Sequence, residues 1–334
     1  MQQPPRDSSQ AKLGQSLLDN VTRRSVLAGS ASALISVPFR AFAGPVPTIA
    51  SQVAAVINRS PSSTCFSAKL ALDDLISPTP TAVSREISIL ADAVRQMAGP
   101  NPTVPYKVAA IRKVIYQRGA WNGNRPFGYD LADPFGLRVE NKLLSTYMRT
   151  RLGNCVSMPT LFMILAERVE LDASFVVAPL HVFVRFTHPE RGPTNVETTS
   201  GAHFTRDDWY RQKMPMNDRA IEHGVYMRAL TKAEGVALLA TTVLEYLERE
   251  RRYQDVVDVA DVILKANPRD ALTMVKRGTA FGHIMQAEFL DRFPSPASIP
   301  PGLQSRYRML ADLNRRAFED AERLGWEPSE QGKQ

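Results

Sequence analysis

The sequence predicts an α+β protein in which a buried helix leads into an antiparallel sheet and a second helical region follows. Three observations predict it. Between Met158 and Ala166 only Thr160 is polar, and a helix that is apolar all round is buried on all sides. Directly after it, residues 174–178 (S-F-V-V-A), 181–186 (H-V-F-V-R-F) and 194–198 (T-N-V-E-T) change to the Val, Phe and Thr usage of strands, with H-P-E-R-G at 188–192 as a turn. On both sides of this block apolar residues recur at helical spacing.

Taken in order, the chain opens with T-R-R-S-V-L-A at 22–28, a short weakly apolar stretch, and A-F-A-G at 41–44, a small-x-small cleavage pattern. Residues 1–43 resemble a twin-arginine export signal, matching it at Thr22, Arg23, Arg24 and Leu27 and departing from it at Val26 and Ala28. The resemblance implies a periplasmic or secreted protein with no membrane span once the signal is removed. The stretch is too short and too rich in Gly and Ser to span a bilayer well. Residues 44–65, rich in Pro, Ser and Ala, are expected to be a linker.

The predicted main domain covers 66–225. Leu70, Leu72 and Leu75 mark one helix and Ile87, Leu90 and Val94 a second, separated by Pro78 and Pro80. A third covers 104–117. Residues 119–138, G-A-W-N-G-N-R-P-F-G-Y-D-L-A-D-P-F-G-L-R, form a long loop. Two readings stand for it: a functional loop, or one that packs Trp121, Phe127 and Tyr129 on the core. A short helix at 141–150 precedes Cys155. Either Asn154 or Ser157 caps the helix after it; the second choice places Pro159 in the first turn, where proline is tolerated.

From Thr231 onward the pattern is helical again. Leu238, Val243, Leu244 and Leu247 make one stripe, and Val257, Ala260 and Leu264 another, ending at Asn267-Pro268. Residues 226–334 resemble tetratricopeptide helices. The next pair covers 271–290 and 307–324, with Gly278 at a helix contact and an insertion at 293–303.

The chain has 334 residues, 44% hydrophobic and 22% charged, with a formal net charge of +7. Part of that charge sits in the leader, and there is no Lys/Arg block of the kind that grips nucleic acid, so no nucleic-acid partner is expected. Two cysteines, Cys65 and Cys155, make no disulfide scaffold, although in an oxidising compartment they could pair.

A thiol attacks as thiolate, and a helix N-terminus or a His partner lowers its pKa from about 8.5 to about 3.5–7.5. Cys155 lies at a predicted helix start, His181 opens a strand, and Glu197 lies on the next strand, a candidate Cys-His-acid triad. A symmetric hairpin centred on Glu190-Arg191 would pair His181 with Ser200, so Glu197 needs a bulge or an offset turn; Asn195 and Thr199 are alternative partners. The Cys155 amide, with Asn141, Gln117 or Trp121, is the candidate oxyanion donor set. Cys155, His181 and His203 lack metal-site spacing, so neither metal nor cofactor is expected.

The order R-L-G-N-C-V-S-M, P-L-H-V-F-V-R-F and N-V-E-T-T-S-G resembles the transglutaminase-like cysteine superfamily, over roughly residues 85–330 and most specifically over 141–201. The resemblance implies a papain-like α+β core, Cys155 as nucleophile, His181 as base, and Glu197 where Asp is commoner. It implies an exported thiol acyl-transfer enzyme, a peptidase, amidase or transglutaminase, acting on peptide, protein or peptidoglycan-peptide substrates. The alternative is an inactive scaffold that binds a protein partner through its C-terminal helices.

Overall fold

The computed structural model describes residues 47–328 except Phe135 and Pro215. The expected signal at 1–43 lies outside the described residues. The expected linker is a correction: α1 (Ile49–Asn58) lies within it, with Thr48 accepting from the Ser51 amide as N-cap. Val53 and Ile57 bury one face of α1 against α9 (Lys232–Arg249) and α10 (Tyr253–Ala266). The run V-A-A-V-I at 53–57 supplies that face, which the Pro- and Ser-rich flanks obscured.

Cys65 opens α2 (Cys65–Asp73), whose Thr64 and Ser67 form a reciprocal capping box. At its other end Lys69 and Asp73 form a fully buried ion pair of 2.6 Å. The second oxygen of Asp73 accepts from the Leu144 amide at 2.8 Å, capping α5 (Leu144–Thr150). Burial pushes the Asp73 carboxyl up, and Lys69 and the Leu144 amide hold it back. α3 (Thr81–Ala98) and α4 (Val104–Tyr116) then pack on α6 (Ser157–Arg168).

Every residue of α6 from Ser157 to Ala166 is buried, as the apolar run requires. One side of α6 meets α2, α3 and α4, and the other meets the sheet. That sheet is antiparallel in the order β3 (Ala173–Ala178), β4 (His181–His188), β5 (Gly192–Glu197), β6 (His203–Thr205). Two short strands, β1 (Gly128–Tyr129) and β2 (Leu152–Gly153), pair in parallel beside it in sequence order. α7 (Asp207–Lys213) and α8 (Asp218–Glu222) follow β6.

The C-terminal helical region is α9, α10, α11 (Ala271–Met285, continued by a wide turn to Leu290) and α12 (Gln304–Arg323), each packed on the next. Gly278 is required at the α11–α12 contact, since a Cβ there would lie 2.9 Å from the Phe318 ring. α9 also packs on α2, and one hydrophobic core runs from Val53 to Leu310, so the helical region and the sheet share it.

Asp73→Ala leaves Lys69 charged, buried and unpaired and removes the α5 cap, so it is expected to cost about 3–5 kcal/mol. The double variant Lys69→Met/Asp73→Leu removes both charges and should lie within about 2 kcal/mol of wild type. Equilibrium urea unfolding of the three chains measures the difference.

Candidate active site

Two layers meet at the site. α6 begins where Asn154, itself buried, folds its side chain over the first turn. Its Oδ1 accepts from the amides of Val156 (3.0 Å) and Ser157 (3.1 Å), and its own amide donates to Ser157 Oγ (3.0 Å). Asn154 is thus the side-chain cap, while regular helix starts at Ser157. This reconciles the two expected starts: residues 155–156 form an irregular turn, and Pro159 stays within the first turn of the regular helix. Because Pro159 has no N–H, the Cys155 carbonyl gains no helical bond from it. The approach is tight enough to require Gly153, where a Cβ would fall 2.5 Å from the Tyr147 ring and 2.8 Å from Ser157 Oγ.

Cys155 is therefore held at the positive end of α6, partly exposed, with Sγ 3.8 Å from the Leu180 carbonyl. Its amide has no acceptor among the described residues. Cys65 sits against the far end of the same helix, its amide donating to Glu167 at 2.7 Å. A 12-residue helix spans about 18 Å, far beyond the ~7 Å that a disulfide tolerates between Cα atoms. The expectation that Cys65 and Cys155 could pair is thereby corrected: the folded chain keeps both thiols free.

The second layer is the β4–β5 hairpin. Its pairs, Val184 with Val196, Arg185 with Asn195 and His188 with Gly192, centre it on Glu190. The loop has three residues and closes at Gly192 with φ +68°, where only glycine is comfortable. This is the offset turn that Glu197 needed. The half-residue shift matters because strand side chains alternate between faces. Odd-numbered residues of both strands now share a face, as the Arg185 Nε bond to Asn195 (2.6 Å) shows. Glu197 comes opposite Phe183, diagonal to His181, and His181 Nε2 meets Glu197 Oε2 at 2.7 Å. Nδ1 is the ring nitrogen not used by Glu197, and Cys155 lies close enough to raise the imidazole.

Glu197 is buried and fully engaged. Oε2 also accepts from Tyr210 (2.9 Å), and Oε1 accepts from the amide (2.9 Å) and hydroxyl (2.5 Å) of Thr199. Tyr210 is fixed by stacking on Phe183, centroids 3.9 Å apart. Tyr116 donates to the Thr198 carbonyl at 2.8 Å and holds the turn after Glu197. Thr199 thus anchors the acid rather than replacing it, and Asn195 is committed to Arg185 and Asp207.

Burial opposes a charge on His181, but its interaction with Cys155, the hydrogen bond it donates to Glu197 and the attraction of both outweigh it and lift the imidazole to about 9. Burial likewise opposes the charge on Glu197, yet the bonds from His181 and Thr199 hold its carboxyl below the ordinary range.

The remaining candidates divide. Trp121 donates to the Val114 carbonyl and Asn141 to Asp130 and Asp133, so both side-chain donors are already used; Gln117 is exposed. His203, opposite Glu197 on β6, lies 3.3 Å from Arg112 Nη2, away from a shared site with Cys155. Both readings of the 119–138 loop hold in part. Phe127 packs on Tyr147, while β1 carries Tyr129 in register with Gly153, two residues before Cys155. There burial raises the Tyr129 phenol, and the Cys155 charge raises it further. Tyr210 was not found from sequence, whereas Asn154 was expected there as one of two candidate caps.

Replacing Glu197 by Gln removes both the charge and the strong bond, leaving burial to push the imidazole down. The His181 titration midpoint, read by NMR, should lie near 9 in the wild type and at least about one unit lower in Glu197→Gln.

Residues 81–239, from α3 into α9, match the transglutaminase-like superfamily. The chain is also 24% identical over 186 residues to a UPF0162 protein of Buchnera aphidicola subsp. Schizaphis graminum (strain Sg), a match covering 53% of this chain and 64% of that protein. The match thus spans less than two thirds of that relative's length. No solved structure matches the chain. The buried helix, the hairpin and the three candidate side chains all fall within 81–239, and this segment is a transglutaminase-like superfamily domain.

Proposed function

We propose that the protein is an exported thiol acyl-transfer enzyme with Cys155, His181 and Glu197 as its triad. The observation that carries this reading is the 2.7 Å bond between His181 and the buried Glu197, with Cys155 near the same imidazole and just before α6. Nothing in core packing requires a His, a Glu and a Cys to be spent together at the edge of two layers, where each costs more to bury than an apolar residue.

The chemistry follows from the positions. Cys155 Sγ forms a bond to the carbonyl carbon of a substrate amide. The electron pair moves to oxygen, beside the unpartnered Cys155 amide and the positive end of α6. The C–N bond then breaks as His181 delivers its proton to the leaving amine, giving an acyl-enzyme. Water or a second amine loses its proton to His181, attacks the thioester carbon and releases the thiol. Glu197 keeps the ring oriented throughout, and Tyr210 and Thr199 keep Glu197 in place. Water as acceptor makes a peptidase or amidase, an amine a transglutaminase.

The leader motif at 22–44 supports export, so peptides, proteins or peptidoglycan peptides of the cell envelope are the substrates proposed. Among the described residues no helix is long and apolar enough to cross a membrane. A protein partner, if the C-terminal helices bind one, would meet α9–α12.

At pH 7 iodoacetamide should label Cys155 in the folded chain at least about tenfold faster in wild type than in His181→Ala, with Glu197→Gln between them. The labelled peptide identifies the residue, and Cys65 stays silent because burial raises its thiol and closes access. Labelling only on unfolding would leave the scaffold alternative, in which Cys155 is a core residue and the helices bind a partner.

A further inference from the structure

Among the described residues, eight other than glycine have positive φ, and seven have an ordinary reason for it. Asn101 and Asn124 belong to the residue type that tolerates this region best. Arg151, Glu170 and Arg251 end α5, α6 and α9 in the left-handed manner common at helix C-termini. Ala202 and Met227 are buried, so packing offsets the strain. The eighth is Leu180, with φ +54°, and its side chain is 62% exposed.

Leu180 sits in the two-residue turn between β3 and β4, where Ala178 pairs with His181. Pro179 precedes it. The proline ring fixes φ at about −65°, which excludes both turn types that suit a two-residue hairpin. What remains is the type II pattern, whose third position favours Gly or Asn. A leucine there is strained, gains no burial, and presents an apolar side chain to water. Its carbonyl lies 3.8 Å from Cys155 Sγ, and the next residue is His181.

The surroundings point the same way. Of eleven large apolar residues exposed among the described residues, six lie on segments that carry or flank the site: Leu131, Leu137, Leu152, Leu180, Phe204 and Trp209. Trp209 and Phe204 also line an open groove that reaches Glu197. The Trp209 ring packs edge-on to Tyr210, which lies 6.1 Å from the His181 ring. A water-facing apolar rim around a nucleophile fits an occupant that brings its own apolar surface.

We propose that Leu180 is a specificity residue: its side chain is the apolar wall of a subsite beside Cys155 that takes substrates bearing an aliphatic residue next to the attacked carbonyl. The inference rests on the triad reading above and adds the substrate class. The cost of the strained turn is borne because an exposed apolar side chain at this corner, whose carbonyl lies beside the thiol, is placed to meet a substrate.

Two alkylating probes of equal warhead test it, iodoacetamide and the iodoacetyl derivative of leucine amide. The quantity read is the ratio of their labelling rates at Cys155. Wild type should favour the leucine probe by about fivefold. Leu180→Asn should bring the ratio near one while leaving Tm equal or higher, since asparagine suits the turn. Leu180→Met should keep the preference. An unchanged ratio in Leu180→Asn, with iodoacetamide labelling of the wild type intact and dependent on His181, overturns the inference and leaves the triad reading standing. A Tm lowered by several degrees in Leu180→Asn also overturns it, because the side chain is then a packing element. No labelling of the folded wild type by either probe overturns both.

Discussion

His181 and Glu197 meet because β4 and β5 pair about Glu190 rather than between Glu190 and Arg191. Every other part of the candidate site depends on that register. Strand side chains alternate with a period of two, so a slip of one residue would send Glu197 to the opposite face, among Val182, Val184 and Phe186 and towards α6. The carboxylate would then be buried without a partner, and the imidazole would lose the group that orients it. Two features lock the register. The odd-length loop closes at Gly192 in the left-handed region, and the apolar even-numbered residues have only the α6 side to fill.

A charged pair in such a place is costly to bury, and the fold meets that cost with hydrogen bonds. Glu197 receives donors from His181, Tyr210 and Thr199, and Asn154 satisfies the amides that open α6. These residues surround the candidate triad, hold its members in one geometry, and leave the Cys155 amide as the donor without an acceptor among the described residues.

The patterns that depend on local periodicity were legible in the sequence. The apolar run at 158–166 could only be a buried helix, and the alternation at 181–186 could only be a strand with a mixed outer face. The order Cys155, His181, Glu197 was legible for the same reason, since each stands at the edge of such an element. The hairpin register was not, because two- and three-residue loops are both compatible with H-P-E-R-G, and they differ by the half residue that selects the face. α1 was missed because its apolar face is completed by α9 and α10, about 180 residues later in the chain. Tyr210 was missed for a related reason: its role is set by stacking on Phe183 across the sheet, a contact that no spacing within α7 announces. The two cysteines looked pairable only until α6 was seen to separate them.

The corner at Pro179-Leu180 joins these layers. It ends β3, precedes β4, and places its carbonyl beside the thiol, so its position sets the distance between Cys155 before α6 and His181 on the sheet. A proline at the first turn position removes one soft dihedral there. β3 is also tied along its outer edge, where the Met227 and Leu230 amides donate to Val177 and Phe175 and Val176 bridges to Ala229. That strap leads directly into α9, which packs on α1, α2 and α10. The helical region therefore does more than follow the domain in sequence. Through residues 227–230 it fixes the strand that fixes the corner, and the corner fixes how closely Cys155 and His181 can approach.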